Sequence, residues 1–151
     1  MSSTPRPRVL CVDDDEDCRV MLSTLLELAL VEAKTVGTGA QALSSIEKEH
    51  FDLYLLDARL PDVDGFELCR RLRAIDRHTP ILFFSGAAFE ADTKRGIAAG
   101  ANAYVIKPDL GGLLGSVKQL LSRAEPTGAR VLSFRRVMKS FPPFSSDPVA
   151  A

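Results

Sequence analysis

Apolar residues along this chain fall into five short runs. Between the runs, apolar positions recur three and four residues apart. The runs at 8–12, near 33–36, and at 52–56, 81–84 and 103–106 are bounded by glycine, proline or charged residues. Runs of that length predict strands buried on both faces. After the first run, Cys18, Leu22, Leu25 and Ala29 share one helical stripe, with Arg19 and Glu27 off it. Gly37, Thr38 and Gly39 turn the chain into a second helix, with Ala42, Leu43 and Ile46 inward and Glu47, Lys48 and Glu49 outward. Pro61 and the Asp64-Gly65 pair mark residues 57–64 as a loop. A third helix is predicted over 65–75, with Phe66, Leu68, Cys69 and Leu72 apolar and Arg70, Arg71 and Arg73 read as a solvated face. Helices over 90–99, stopped by Gly100, and 110–124 complete the pattern.

Five strand–helix pairs in this order predict an α/β domain, with right-handed crossovers onto a parallel sheet. Residues 8–124 are expected to form it, preceded by a 1–7 extension and followed by a basic, Pro/Ser-rich tail over 125–151. Within the tail, 130–139 reads equally well as a short amphipathic docking segment or as a disordered basic stretch.

Composition narrows the class. With 46% apolar and 26% charged residues in a chain of 151, one globular domain is expected. The net charge of −1 divides into +3 over 123–151 and −4 over the rest. That mildly acidic body argues against nucleic acid as the main partner. No stretch approaches the roughly 20 apolar residues of a membrane span, and Met1–Arg8 has no secretory h-region, so a cytoplasmic protein is expected. Cys11, Cys18 and Cys69 are odd in number and lack metal-ligand spacing, and they read as small hydrophobes.

Three of the apolar runs end in reactive residues: the first in Asp13-Asp14-Asp15, the third in Asp57, the fifth in Lys107-Pro108. Ligands in open α/β folds bind outside the carboxyl ends of the strands. Carboxylates far apart in sequence should therefore meet a lysine there.

With these motifs in order, the sequence resembles the receiver domain of two-component response regulators. The match is carried by Val12-Asp13-Asp14-Asp15, Leu55-Leu56-Asp57, Leu60-Pro61-Asp62-Val63-Asp64-Gly65, Ser85-Gly86-Ala87 and Tyr104-Val105-Ile106-Lys107-Pro108. The resemblance implies a flavodoxin-like, doubly wound five-stranded parallel sheet of order 2-1-3-4-5 with five helices. It implies that Asp57 accepts a phosphoryl group from a histidine kinase or histidine phosphotransfer protein. Asp13 and Asp14 match the family's magnesium-binding pair, Ser85 its hydroxyl residue, Lys107 its lysine and Tyr104 its switch aromatic. With Asp14 and Asp57 binding Mg2+ directly, the Arg59 backbone carbonyl would complete the protein ligands and Asp13 would act through water. Pro108 sits where the family often has a cis peptide bond. The face of the fourth helix, fifth strand and fifth helix would carry the signal to a protein target. With no room for a DNA-binding domain after residue 124, a stand-alone receiver is expected.

Elementary chemistry suits this reading, because an anionic nucleophile attacking an anionic phosphoryl group needs cations beside it. Three crowded carboxylates should also push at least one pKa upward. Departures from the family pattern are the bulky Arg59 near the reacting group, the open Gly86, and Asp109 where an apolar residue is common. The fourth helix, with Gly96 and Gly100, reads as weakly held. Asp13–Asp15 could instead simply cap the first helix. Two other functions compete: a receiver-like scaffold working without phosphorylation, and a phosphatase of the haloacid-dehalogenase type, for which Asp57 has no role.

Overall fold

The computed structural model describes residues 5–123. Expectations for the 125–151 tail and for the first four residues lie outside the described residues. Ten elements alternate: β1 (Arg8–Val12), α1 (Glu16–Leu28), β2 (Glu32–Val36), α2 (Gly39–Lys48), β3 (Leu53–Leu56), α3 (Gly65–Ile75), β4 (Ile81–Ser85), α4 (Glu90–Ala98), β5 (Ala103–Ile106) and α5 (Leu110–Leu121). The strands form one parallel sheet in the order β2-β1-β3-β4-β5. This is a flavodoxin-like, doubly wound parallel sheet with five helices.

Successive side chains on a strand point to opposite faces, so each apolar run feeds two cores. Leu10, Val12, Tyr54, Leu56, Ile81 and Phe83 pack with α2 and α3. Val9, Cys11, Leu53, Leu55, Leu82, Phe84 and Val105 pack with α1 and α5. Burial on both sides is why these strands read as unbroken apolar runs rather than as alternation.

The structure adjusts several boundaries. β2 begins at Glu32, β3 at Leu53, β4 includes Ser85, and α5 ends at Leu121 with Ser122 as its C-cap. In α1 the two fully buried residues are Leu22 and Leu26, while Cys18, Leu25 and Ala29 lie half-buried on its flanks. The stripe is therefore centred about a residue away from the expected one.

Arg73 corrects the reading of a solvated arginine face. Arg70 is exposed beside Glu67, but Arg73 turns inward. Its guanidinium donates to the carbonyls of Gly100, Asp76 and Thr79 and to Asn102 Oδ1, at 2.7–3.1 Å. One side chain thereby ties the end of α3 to the start of β4 and to the α4–β5 turn. Asp109, whose effect on the last helix was open, accepts from Gly112 N at 2.9 Å and N-caps α5.

Candidate functional site

Parallel pairing brings the C-terminal ends of β1, β3, β4 and β5 to one edge. Asp13 N continues the β1 ladder to Val36 O at 3.0 Å, and Asp57 N reaches Val12 O at 2.9 Å. Lys107 N reaches Ser85 O at 2.9 Å, and the Lys107–Pro108 peptide is cis. Each candidate residue thus emerges where a strand stops, its backbone fixed by a neighbouring strand.

The edge gathers Asp13, Asp14 and Asp57, each with a carboxylate oxygen within 4.8 Å of the others. Asp13 and Asp57 are buried, and Asp14 is exposed. Lys107 Nζ lies 2.7 Å from Asp13 Oδ2 and 3.1 Å from Asp57 Oδ2. Asp57 Oδ1 accepts from Ser85 Oγ at 2.7 Å and from Arg59 N at 3.2 Å. Ser85 Oγ accepts in turn from Ala87 N at 3.2 Å, and the Tyr104 hydroxyl donates to Ala87 O at 2.6 Å. A continuous chain of bonds runs from the Asp57 carboxylate to the Tyr104 ring. The third member of the acidic run, Asp15, does cap α1, accepting from Asp17 N at 2.9 Å, while Asp13 and Asp14 are left to the site.

The loop after Asp57 is folded tightly. A Cβ on Gly65 would lie 2.2 Å from Asp57 O, so only glycine lets α3 start against the backbone of residues 57–58. Asp64 caps α3 through Phe66 N at 2.7 Å, and Arg59 pairs with Asp64 across the loop. Asp62 reaches sideways and accepts from Gly39 N and Ala40 N, both at 2.9 Å, at the N-terminus of α2. Sequence reasoning missed this tie, because its partners lie 22 and 23 residues away and carry no distinctive side chain. The exposed Arg59 side chain stands at the rim, and a Cβ on Gly86 would meet open space.

Charge at the site departs from expectation at Asp13. Burial alone would raise its pKa, but hydrogen bonds from Lys107, Cys18 and Asp15 N outweigh it and hold the carboxyl below its ordinary 3.8. Crowding therefore does not raise the pKa of this residue, because a cation sits in the cluster. Lys107 shows the mirror image: burial opposes its charge, yet Asp13 and Asp57 raise its pKa, so it is a fixed cation at neutral pH. Burial, then Asp13, pushes the Cys18 thiol up to about 12, and burial pushes Cys69 to about 11, so neither is a thiolate. Among the described residues no helix is long and apolar enough to cross a membrane.

The chain is similar to known proteins. The family model of the response regulator receiver domain matches residues 9–118. The transcriptional regulatory protein GltR of Pseudomonas aeruginosa is 39% identical over 132 residues, covering 83% of this chain and 54% of its own. The chain spans about half the length of the curated relatives it matches. A putative response regulator from Chloroflexus aurantiacus superposes with a TM-score of 0.75 at 34% identity, covering 78% of this chain and 99% of that one. The receiver domain of the sensor histidine kinase PA1611 of P. aeruginosa, solved with magnesium in its active-site cleft, gives 0.70 at 28% identity over 78% and 98% of the two chains.

Proposed function

The chain belongs to the response regulator receiver family, and from that premise we propose that it accepts a phosphoryl group on Asp57 from a histidine kinase or a histidine phosphotransfer protein. The observation that carries this reading is the meeting of a buried Asp57 with Asp13, Asp14 and Lys107 Nζ at one strand edge. A structural ion pair needs one carboxylate, whereas three around one lysine leave negative charge for a further cation. The donor set is all oxygen, which suits a hard divalent ion such as Mg2+. Asp14, Asp57 and the Arg59 carbonyl would hold it directly and Asp13 through water. Bound there, Mg2+ would offset negative charge on the incoming phosphoryl group.

The protein's own groups do the rest. A carboxylate oxygen of Asp57 attacks phosphorus in line with the donor's P–N bond. The O–P bond forms as the P–N bond breaks, and the electron pair stays on the donor imidazole. Lys107, held charged by Asp13, stands 3.1 Å from Asp57 to receive a phosphoryl oxygen. Ser85 already donates to Asp57 and needs only to transfer that bond to the new acceptor oxygens. Its shift is passed through Ala87 to Tyr104. The α4–β5–α5 face, which exposes Phe89, Ile97, Ile106 and Leu110, then changes its affinity for a protein target. The domain acts as a signalling element rather than a catalyst with its own substrate.

Incubation with Mg2+ and acetyl phosphate, followed by intact mass measurement, tests the proposal. We expect a mass gain of one phosphoryl group, lost on chelation and in Asp57→Asn. No gain, or an equal gain in Asp57→Asn, would favour the scaffold reading.

A further inference from the structure

The end of α1 carries three unusual features. Leu28 is 79% exposed and Leu30 63%, so two large apolar side chains stand in solvent within three residues. Leu30 also has φ 63°, the left-handed conformation in which helices commonly end on glycine. It makes the turn that lets Val31 N reach Leu26 O at 2.9 Å. Glycine would make the same turn without backbone strain and without exposed apolar surface. Finally, α1 alone among the five described helices has no basic residue in its last turn, so none of its own side chains there answers the negative end of its dipole. Two exposed carboxylates border the turn, Glu27 at 3.6 Å from Arg6 and Glu32 at 3.4 Å from Arg8.

Topology brings the C-terminal part of the chain to this place. Crossover helices run back against the strands, so α1 and α5 both end at the edge opposite the acidic site. They pack on the same face of the sheet, α1 over β1 and β2 and α5 over β3, β4 and β5. Two to three strand spacings, about 10–14 Å, therefore separate their ends. The six residues 124–129 lie between Arg123 and Arg130 and span about 20 Å when extended. Beyond them, Val131, Phe134 and Met138 recur three and four residues apart, beside Arg130, Arg135, Arg136 and Lys139. One stretch thus offers both things the end of α1 lacks, apolar cover and positive charge. The other exposed apolar side chains are less well placed. Phe89, Ile106 and Leu110 lie at the acidic-site edge, and Ile97 is on the far face of the sheet.

We propose that residues 130–139 of this chain seat on the end of α1. Val131, Phe134 and Met138 cover Leu28 and Leu30, and the basic side chains face Glu27, Glu32 and the negative end of the helix. The seat holds a strongly basic segment at the edge remote from Asp13, Asp14 and Asp57, where its cations do not compete with a metal ion. It leaves the α4–β5–α5 face open. The proposal stands apart from the phosphoacceptor reading, and neither depends on the other.

Hydrogen exchange of the full chain, read by mass spectrometry, tests the seat, with a synthetic 130–139 peptide as the unprotected reference. We expect the 130–139 amides to exchange at least about tenfold more slowly than the reference. The pair Leu28→Asp and Leu30→Asn changes only exposed positions, and asparagine tolerates the left-handed turn. It should return the segment to the reference rate. Phe134→Asp should do the same and also speed exchange at residues 29–31, and it decides the matter if the leucine pair does not fold. Ile97→Asp and Asp14→Asn should leave the protection intact. Exchange at the reference rate in the wild type, or protection that survives the leucine pair or Phe134→Asp, would overturn the proposal. So would protection that grows with protein concentration, the sign of a second copy, or that appears only with phosphatidylserine vesicles, the sign of a lipid surface. Loss of protection in Ile97→Asp or Asp14→Asn would place the segment on another face and overturn it equally.

Discussion

Two aspartates at opposite edges of the sheet are almost equally buried, Asp57 at 7% exposure and Asp76 at 6%, yet their surroundings differ in kind. Asp76, between α3 and β4, is surrounded by donors: the Tyr54 hydroxyl at 3.1 Å, His78 N at 2.9 Å, Thr79 N at 3.0 Å and the Thr79 hydroxyl. Burial alone would raise its pKa, and these bonds reverse the sign and hold it below 3.8. Asp57 also has donors, but it shares its lysine with Asp13 and lies beside Asp14. One carboxylate has all its charge answered by the fold, and the other sits among charge that the fold leaves partly open. Burial does not tell a structural from a reactive carboxylate. The balance of donors and like charges does.

Breaking each side in turn should give opposite results. Asp76→Ala strands several buried donors and should cost about 3 kcal/mol of unfolding free energy in urea. Asp57→Asn should change stability by no more than about 1 kcal/mol while abolishing phosphoryl acceptance, since it removes like-charge repulsion along with one hydrogen bond to lysine. A large loss from Asp57→Asn would place that residue among the scaffold carboxylates. Arg73→Ala removes the clamp that ends beside Asp76 and should cost about 2 kcal/mol by the same measurement, with phosphoryl acceptance retained. On the proposed reading Mg2+ would bind only the assembled acidic site, so concentrations an order of magnitude above Kd should stabilise by about 1 kcal/mol and raise Tm by about 4 °C. Asp14→Asn should erase that rise, and Asp76→Asn should keep it.

The smallest effect concerns pH. A carboxylate held below its ordinary pKa contributes stability above 3.8 that is lost as pH falls through its folded value. Stability should therefore be nearly flat from neutrality to about pH 5 and decline below 3.8, less steeply in Asp76→Asn. An unchanged acid limb in that variant would show that Asp76 is not the carboxylate responsible.

What could be read in the sequence follows from how each contact is made. The strands were legible because burial on both faces writes itself as unbroken apolar runs. Asp13, Asp14, Asp57 and Lys107 were legible because each directly follows such a run, so topology alone brings them together. Arg73 and Asp62 were not. Arg73 sits among other arginines on a helix, and its acceptors are mostly backbone carbonyls up to 27 residues away. Asp62 binds two backbone amides of another helix. Contacts to backbone leave no complementary side chain to find. The centre of the α1 stripe slipped because Leu25 and Leu26 are both apolar, and only the packing of the helix on the sheet decides between them.

The most direct test is to locate the phosphoryl group. The protein is incubated with Mg2+ and acetyl phosphate, the acyl phosphate is reduced with borohydride, and the digested peptides are sequenced by mass spectrometry. We expect the reduced residue at position 57 alone. A label at Asp13, Asp14 or Asp76, or none on the folded protein, would contradict Asp57 as the acceptor.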